Sequence, residues 1–282
     1  MKIASHITEV LKLKERSMNI ITFEDTNQCE AFIQNFTDYM MNKEVEDSQF
    51  AHFISDDYET MSPKNFNPII LNCGDRNLLG QKLIEDKVYQ IFEEQIINYE
   101  EANHSFIKFE QSLIDLKNTL GIYDVDYQIE LQPSIFKLRK LLKLFGLDFH
   151  NELEDLNEIN KRKVFIDLLI HSTKENILIV LFPESHLGIR DIKVFMQLLK
   201  KYHFTTIVFT NHPSIIINEE NIFLCKINKE CHDIEKIKEE LSLFIPEEMV
   251  RHQLTNMIAY HEFLGENLSE FERYFKFINH YN

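Results

Sequence analysis

The clearest pattern in the chain is a set of short, unbroken apolar runs separated by stretches of helical spacing. Met18–Phe23 (MNIITF) reads as a buried strand ending at Glu24-Asp25, and Phe32 and Phe36 place a helix after it. Pro68–Leu71 (PIIL), Ile177–Phe182 (ILIVLF), Thr206–Phe209 (TIVF) and Ile222–Cys225 are further runs of the same kind. Continuous rather than alternating apolar strands belong to a sheet covered on both faces, and that is mostly a parallel sheet. Ile192, Phe195, Met196 and Leu199 put a helix between the third and fourth runs, a strand–helix–strand unit that predicts a right-handed parallel crossover.

The middle of the chain has a different rhythm. Neither glycine nor proline occurs between Gly80 and Gly121, and apolar residues recur at Val88, Ile91, Phe92, Phe106, Phe109, Leu113 and Leu116. This spacing predicts long helices that protrude or pair as a hairpin. A helix beginning near Pro133 carries Leu138, Leu141, Leu142 and Phe145 on one face, and another runs through Phe165, Leu168 and Leu169. Residues 45–67 are mostly polar and read as a loop with at most a short helix or strand. The expected fold class is α/β: a parallel-sheet head built from the first and last thirds, a helical leg inserted in it, and a helical C-terminal extension. The boundaries drawn are 1–82 and 164–228 for the head, 83–163 for the leg and 229–282 for the extension.

Composition narrows the function classes. The chain has 282 residues, 44% of them apolar, with a formal net charge of −16. Such a charge repels nucleic acid at long range, so any contact with it needs a local basic patch. Cys29, Cys73, Cys225 and Cys231 form no C-x-x-C pair and read as reduced thiols in a reducing compartment. The N-terminus, with Lys2, His6 and Glu9, is unlike a secretory signal. No apolar stretch approaches the roughly 18 residues of a membrane span, so a cytoplasmic protein is expected. The histidines show no zinc spacing, and no catalytic triad is legible.

Four constellations can carry chemistry. Gly74–Leu83 (GDRNLLGQKL) follows a strand and opens a helix, the setting of a phosphate-binding loop. It has one residue too many between its glycines, Gln81 where the lysine belongs and Leu83 where a magnesium-binding hydroxyl belongs. It reads either as an altered nucleotide site or as a turn that keeps strand-to-helix geometry. The strand ends at Pro183-Glu184 and Asn211-His212 occupy the positions of a magnesium acid and a phosphate sensor, or are simply polar strand ends. Asp124, Asp126 and Glu130 bunch before a helix, where they can supply oxygen ligands to Ca²⁺ or merely favour the helix N-terminus. Lys137, Arg139, Lys140 and Lys143 form one basic cluster, and Lys193, Lys200 and Lys201 another; each suits DNA phosphates or a solvated face.

The order of these parts resembles the ring-forming accessory protein of type II-A CRISPR adaptation, the Csn-two family, in its longer form. The resemblance rests on MNIITFED (Met18–Asp25), the acidic turn before an amphipathic helix (Asp124–Gly146), the strand–turn–helix–strand pattern of Asn176–Asn211, and Phe223–Ile227. It covers about residues 10–228; the tail beyond Asn228 is similar only to longer members. It implies a head similar to P-loop ATPases without ATPase activity, and helical legs. It also implies a homotetrameric ring that holds double-stranded DNA, often at ends and without regard to sequence, and is stabilised by calcium at Asp124, Asp126 and Glu130. The implied role is antiviral defense: support of spacer acquisition beside the CRISPR integrase complex and the RNA-guided nuclease. Two other classes stay open: an ATPase with an altered phosphate loop, and a docking protein that does not bind DNA.

Overall fold

The computed structural model describes residues 1–43, 51–120, 138–145, 147, 156–171, 173–212, 215–216, 219–244 and 254–255. The chain divides into two compact units, Met1–Arg76 with Ile170–Asn282, and Asn77–Leu169.

In the first unit, β3 (Met18–Phe23), β5 (Phe66–Asn72), β6 (Glu175–Leu181), β7 (Thr205–Phe209), β8 (Ile222–Cys225) and β9 (Cys231–Asp233) form one sheet in the order β5-β6-β7-β3-β8-β9. All neighbours are parallel except β8 and β9. The four interior strands β6, β7, β3 and β8 are the continuous apolar runs, and nearly every residue in them is buried. Edge strand β5 is buried only at every second or third position and carries Pro68, which an edge tolerates because no neighbour needs its missing N–H. β5 and β6 pair along their full length although the second unit lies between them in sequence. That unit therefore serves as the crossover connection that two parallel strands require.

Helix α1 (Thr26–Met40) covers one face. Its buried residues Cys29, Phe32, Phe36, Tyr39 and Met40 fall on a single stripe. Phe32 meets Phe23 and Phe209 of the large sheet at ring-centroid distances of 5.3 and 5.8 Å. Phe36 meets Phe53 edge-on at 5.2 Å. Phe53 belongs to a small antiparallel sheet that periodicity did not reveal, β2-β1-β4, made of β1 (Lys2–Ser5), β2 (Leu11–Lys12) and β4 (Ala51–Ile54). Its strands have only two to four residues, too few for an alternation to register. Asn19, wholly buried inside β3, accepts from Lys14 N and donates to Lys14 O and Ser17 O, which fixes the turn between the two sheets.

The second unit contains α2 (Lys82–Asn98), α3 (Glu100–Thr119), α4 (Leu138–Phe145) and α5 (Glu158–Leu169). The forty-residue helical stretch is two helices, broken at Tyr99, whose backbone is extended at φ −96°, ψ 120°. Asn103 Nδ2 donates to Ile97 O and satisfies a carbonyl at the end of α2, while Glu100 and Glu101 complement the start of α3. α2 packs against α3, α4 and α5. Helix α6 (Ile189–Leu199) spans β6 to β7 as the crossover, burying Ile192, Phe195, Met196 and Leu199. Helix α7 (Ile234–Leu241) follows β9, which the sequence pattern also missed.

Candidate site at the carboxyl ends of the sheet

In an open parallel sheet, ligands collect beyond the carboxyl ends of the strands, where crossovers leave in opposite directions. Here β3 sends the chain over β7 and β6 to β5, whereas β7 sends it the other way, past β3 to β8. By this topology the crevice position falls at the carboxyl ends of β3, β6 and β7, with Thr22–Asp25, Phe182–His186 and Thr210–His212. The Gly74 loop does follow a strand and open a helix, but its strand is edge β5 rather than the centre of the sheet. The strand-to-helix turn at the centre is Phe23-Glu24-Asp25-Thr26.

Side chains of the protein itself fill that central turn. Asp25 caps α1: its Oδ1 accepts the Gln28 N–H at 2.8 Å. A phosphate bound at a helix N-terminus would use these same amides and the same positive end of the dipole. Glu24 reaches the β8–β9 turn, where Oε2 accepts Ile227 N–H at 3.1 Å and Oε1 lies 3.6 Å from Lys226 Nζ. Asn211 Oδ1 accepts from Thr22 Oγ1 at 2.6 Å and from Phe23 N at 3.2 Å, so it braces β3 against the end of β7. Thr210 Oγ1 donates to Glu184 Oε2 at 2.9 Å and accepts the His212 N–H at 3.0 Å.

The loop after β6 is strained. Phe182 and His186 both hold left-handed backbones, φ 53° and 59°. For a bulky residue that costs about 1–2 kcal/mol. The bend lets Phe182 N donate to Phe209 O at 2.8 Å and leaves His186 Nε2 3.3 Å from Gly74 O. Beneath the crevice, burial first, and then the negative fields of Glu30 and Glu184, push the Cys29 thiol up to about 12. A cationic phosphate cradle would act in the opposite sense. Glu24, Asp25 and Glu184 make this crevice acidic and internally hydrogen-bonded.

Glu184 and Asn211 stand where the sequence put them. Thr22 and Thr210 were not singled out; Glu24-Asp25 was read as the end of the first strand and part of the resemblance but given no chemical role, although an acid directly after a buried run is also an N-cap signal. Asp124, Asp126, Glu130 and Lys137 lie outside the described residues. Among the described residues, no group of three or more His, Cys, Asp or Glu side chains is arranged to hold a metal ion. No described helix is long and apolar enough to cross a membrane.

The remaining basic residues separate into two sets. Arg139 lies 2.8 Å from Asp86 and 3.8 Å from Glu93, and Lys143 lies 4.0 Å from Asp86 and over the Tyr89 ring, so both tie α4 to α2. Lys200 pairs with Glu219 at 2.7 Å. Lys140, Lys193 and Lys201 are exposed and form no ion pair among the described residues. Arg139, Lys143 and Lys200 thus already serve as internal counter-ions.

No family model matches the chain, and no curated protein matches its sequence. Among solved structures, the crystal structure of Stu0660 of Streptococcus thermophilus is similar over 91% of this chain and 86% of that one, with a TM-score of 0.67 and 15% sequence identity. This likeness shows the fold: mixed α/β, with a six-stranded, mostly parallel sheet.

Proposed function

We propose that this protein is a non-catalytic, double-stranded DNA-binding ring protein that supports spacer acquisition in type II-A CRISPR adaptation. The observation that carries the reading is the likeness to Stu0660 over nine-tenths of the chain, the helical insertion included, taken with the order of sequence parts that resembles the Csn-two family. Streptococcus thermophilus is an organism of type II-A CRISPR systems. The crevice supports the non-catalytic half of the proposal. Asp25 takes the helix N-terminus that a nucleotide phosphate would need, and Glu184 adds a negative field on α1. Lys82 opens α2 as its first residue, after an N-cap that is Gln81.

In this reading the chain assembles as a homotetramer and contacts phosphates without reading bases. Of the two basic clusters, Lys140, Lys193 and Lys201 are the members with no ion pair among the described residues, with Lys137 as a further candidate. Asp124, Asp126 and Glu130 offer the oxygen donors that Ca²⁺ takes in irregular sets of six to eight. The partners are then the CRISPR integrase complex and the RNA-guided nuclease, and the compartment is the cytoplasm.

The test is a gel shift on linear and covalently closed duplex DNA, with calcium or with chelator, across a salt series. Calcium-dependent retention on linear DNA, falling steeply with salt, is the expected result. Absence of binding to both forms at low salt with calcium present overturns the DNA role.

A further inference from the structure

Cys225 ends β8, Cys231 begins β9, and the antiparallel register sets them directly opposite each other. One step further along the hairpin, Lys226 N donates to Glu230 O at 2.9 Å, which makes Lys226/Glu230 a hydrogen-bonded pair. Pair types alternate along an antiparallel ladder, so Cys225/Cys231 is a non-hydrogen-bonded pair. In such pairs the Cα atoms stand about 4.5 Å apart, within the span of about 4.4–6.8 Å that a disulfide bridges. The two sulfurs are 4.0 Å apart. Side-chain rotation must bring them to about 2.05 Å, with the backbone already in place. Cys231 is partly exposed and Cys225 is buried, so one thiol can meet a small oxidant while the other is shielded beside it.

We propose that Cys225 and Cys231 form a modification site, an oxidisable dithiol that a small peroxide converts into a disulfide within one chain. The Cys231 thiolate attacks one peroxide oxygen, the O–O bond breaks, and hydroxide leaves to take up a proton as water. The resulting Cys231 sulfenic acid is then attacked by the Cys225 sulfur. The S–S bond forms, the S–O bond breaks, and a second water departs with the Cys225 proton. Two thiols lose two electrons and the peroxide gains them. The contact with Cys231, together with burial, holds the Cys225 thiol well above its ordinary pKa, so the first attack on peroxide falls to the more exposed Cys231.

The cross-link would staple edge strand β9 to β8. Asp233, at the end of β9, caps α7, and the turn between the cysteines is already held by Glu24. Thiols are kept reduced in a cytosol, so the bridge would form only under oxidative load.

The test treats the intact chain with stoichiometric hydrogen peroxide, alkylates it, and maps peptides without reductant. The expected result is a monomer lighter by two hydrogens, a Cys225–Cys231 cross-linked peptide, reversal by dithiothreitol, and loss of all three in Cys231→Ser. Cys231 found as sulfinic or sulfonic acid with Cys225 still open to alkylation after unfolding overturns the proposal, as does a cross-link to Cys29 or to a second chain. The map of the unsubstituted protein decides the matter even if a cysteine variant folds poorly.

Discussion

Thr22 Oγ1 donates a 2.6 Å hydrogen bond to Asn211 Oδ1, and the same oxygen receives the Phe23 amide, so one side chain at the end of β7 holds the end of β3 by two bonds. Thr22 is wholly buried. Asn211→Ala removes the acceptor and leaves a buried hydroxyl and an amide unpaired. Each such group costs about 1–3 kcal/mol. We expect Asn211→Ala to lose at least that much in urea unfolding. Thr22→Val, which removes the donor itself, should lose less. Equal losses would show that the bond to Asn211 contributes little.

Asp25 can be tested separately as a cap and as a charge. Asp25→Ala removes the acceptor for Gln28 N and should cost about 1 kcal/mol of stability. Asp25→Asn keeps an N-cap of similar quality while removing the charge, and should stay close to the parent. If the crevice is non-catalytic, neither the parent nor Asp25→Asn turns over ATP above a no-protein blank. Sustained hydrolysis abolished by Lys82→Ala would overturn that reading.

How much of this was legible in advance depended on the length and burial of each element. β3, β6, β7 and β8 announced themselves, because strands buried on both faces must be apolar throughout. β1, β2, β4 and β9 did not; at two to four residues each they are too short for an alternation to register, and β4 is held by pairing with β1 across some fifty residues. The break at Tyr99 was hidden because neither glycine nor proline causes it. Strand order was beyond the pattern as well, so the glycine-bearing loop after β5 was weighed as a phosphate site while Glu24-Asp25, read only as a strand end, was given no chemical role. Which members of the basic clusters are already ion-paired was equally out of reach. Arg139 and Asp86 are ion-paired although 53 residues separate them in sequence.

Asp233 gives a pH dependence with a definite sign. Burial raises its carboxyl pKa, only partly offset by the Glu235 amide and Lys236. The fold therefore prefers the protonated form. The penalty is absent below the ordinary carboxylate range, near pH 3.9, and grows as pH rises toward the folded-state value. Asp233→Asn keeps an N-cap acceptor for Glu235 N and removes the ionisation. Chemical unfolding at neutral pH should find this variant as stable as the parent or more so, with the gain vanishing in acid. A variant weaker than the parent at neutral pH would mean that the negative charge itself supports α7.

The two sets of basic residues separate DNA contact from internal pairing. Lys193 and Lys201 are exposed and unpaired among the described residues, whereas Arg139 and Lys143 neutralise Asp86, whose carboxyl is held below its ordinary value chiefly by the Arg139 hydrogen bond. If the protein reads phosphates, each exposed lysine that contacts one contributes about −0.9 to the slope of log affinity against log salt. Lys193→Gln with Lys201→Gln should therefore weaken binding to any duplex sequence alike and flatten the salt slope by up to about two. Melting of the double variant should be unchanged, since surface substitutions of this kind shift stability by about 0.5 kcal/mol or less. Arg139→Gln should act in the other order. It frees Asp86 and Glu93 and loosens α4 from α2, so any effect on DNA follows a change in the helical unit that limited proteolysis or hydrogen exchange detects. An unchanged salt slope in the double lysine variant would remove Lys193 and Lys201 from the interface and direct the search to Lys140 and Lys137.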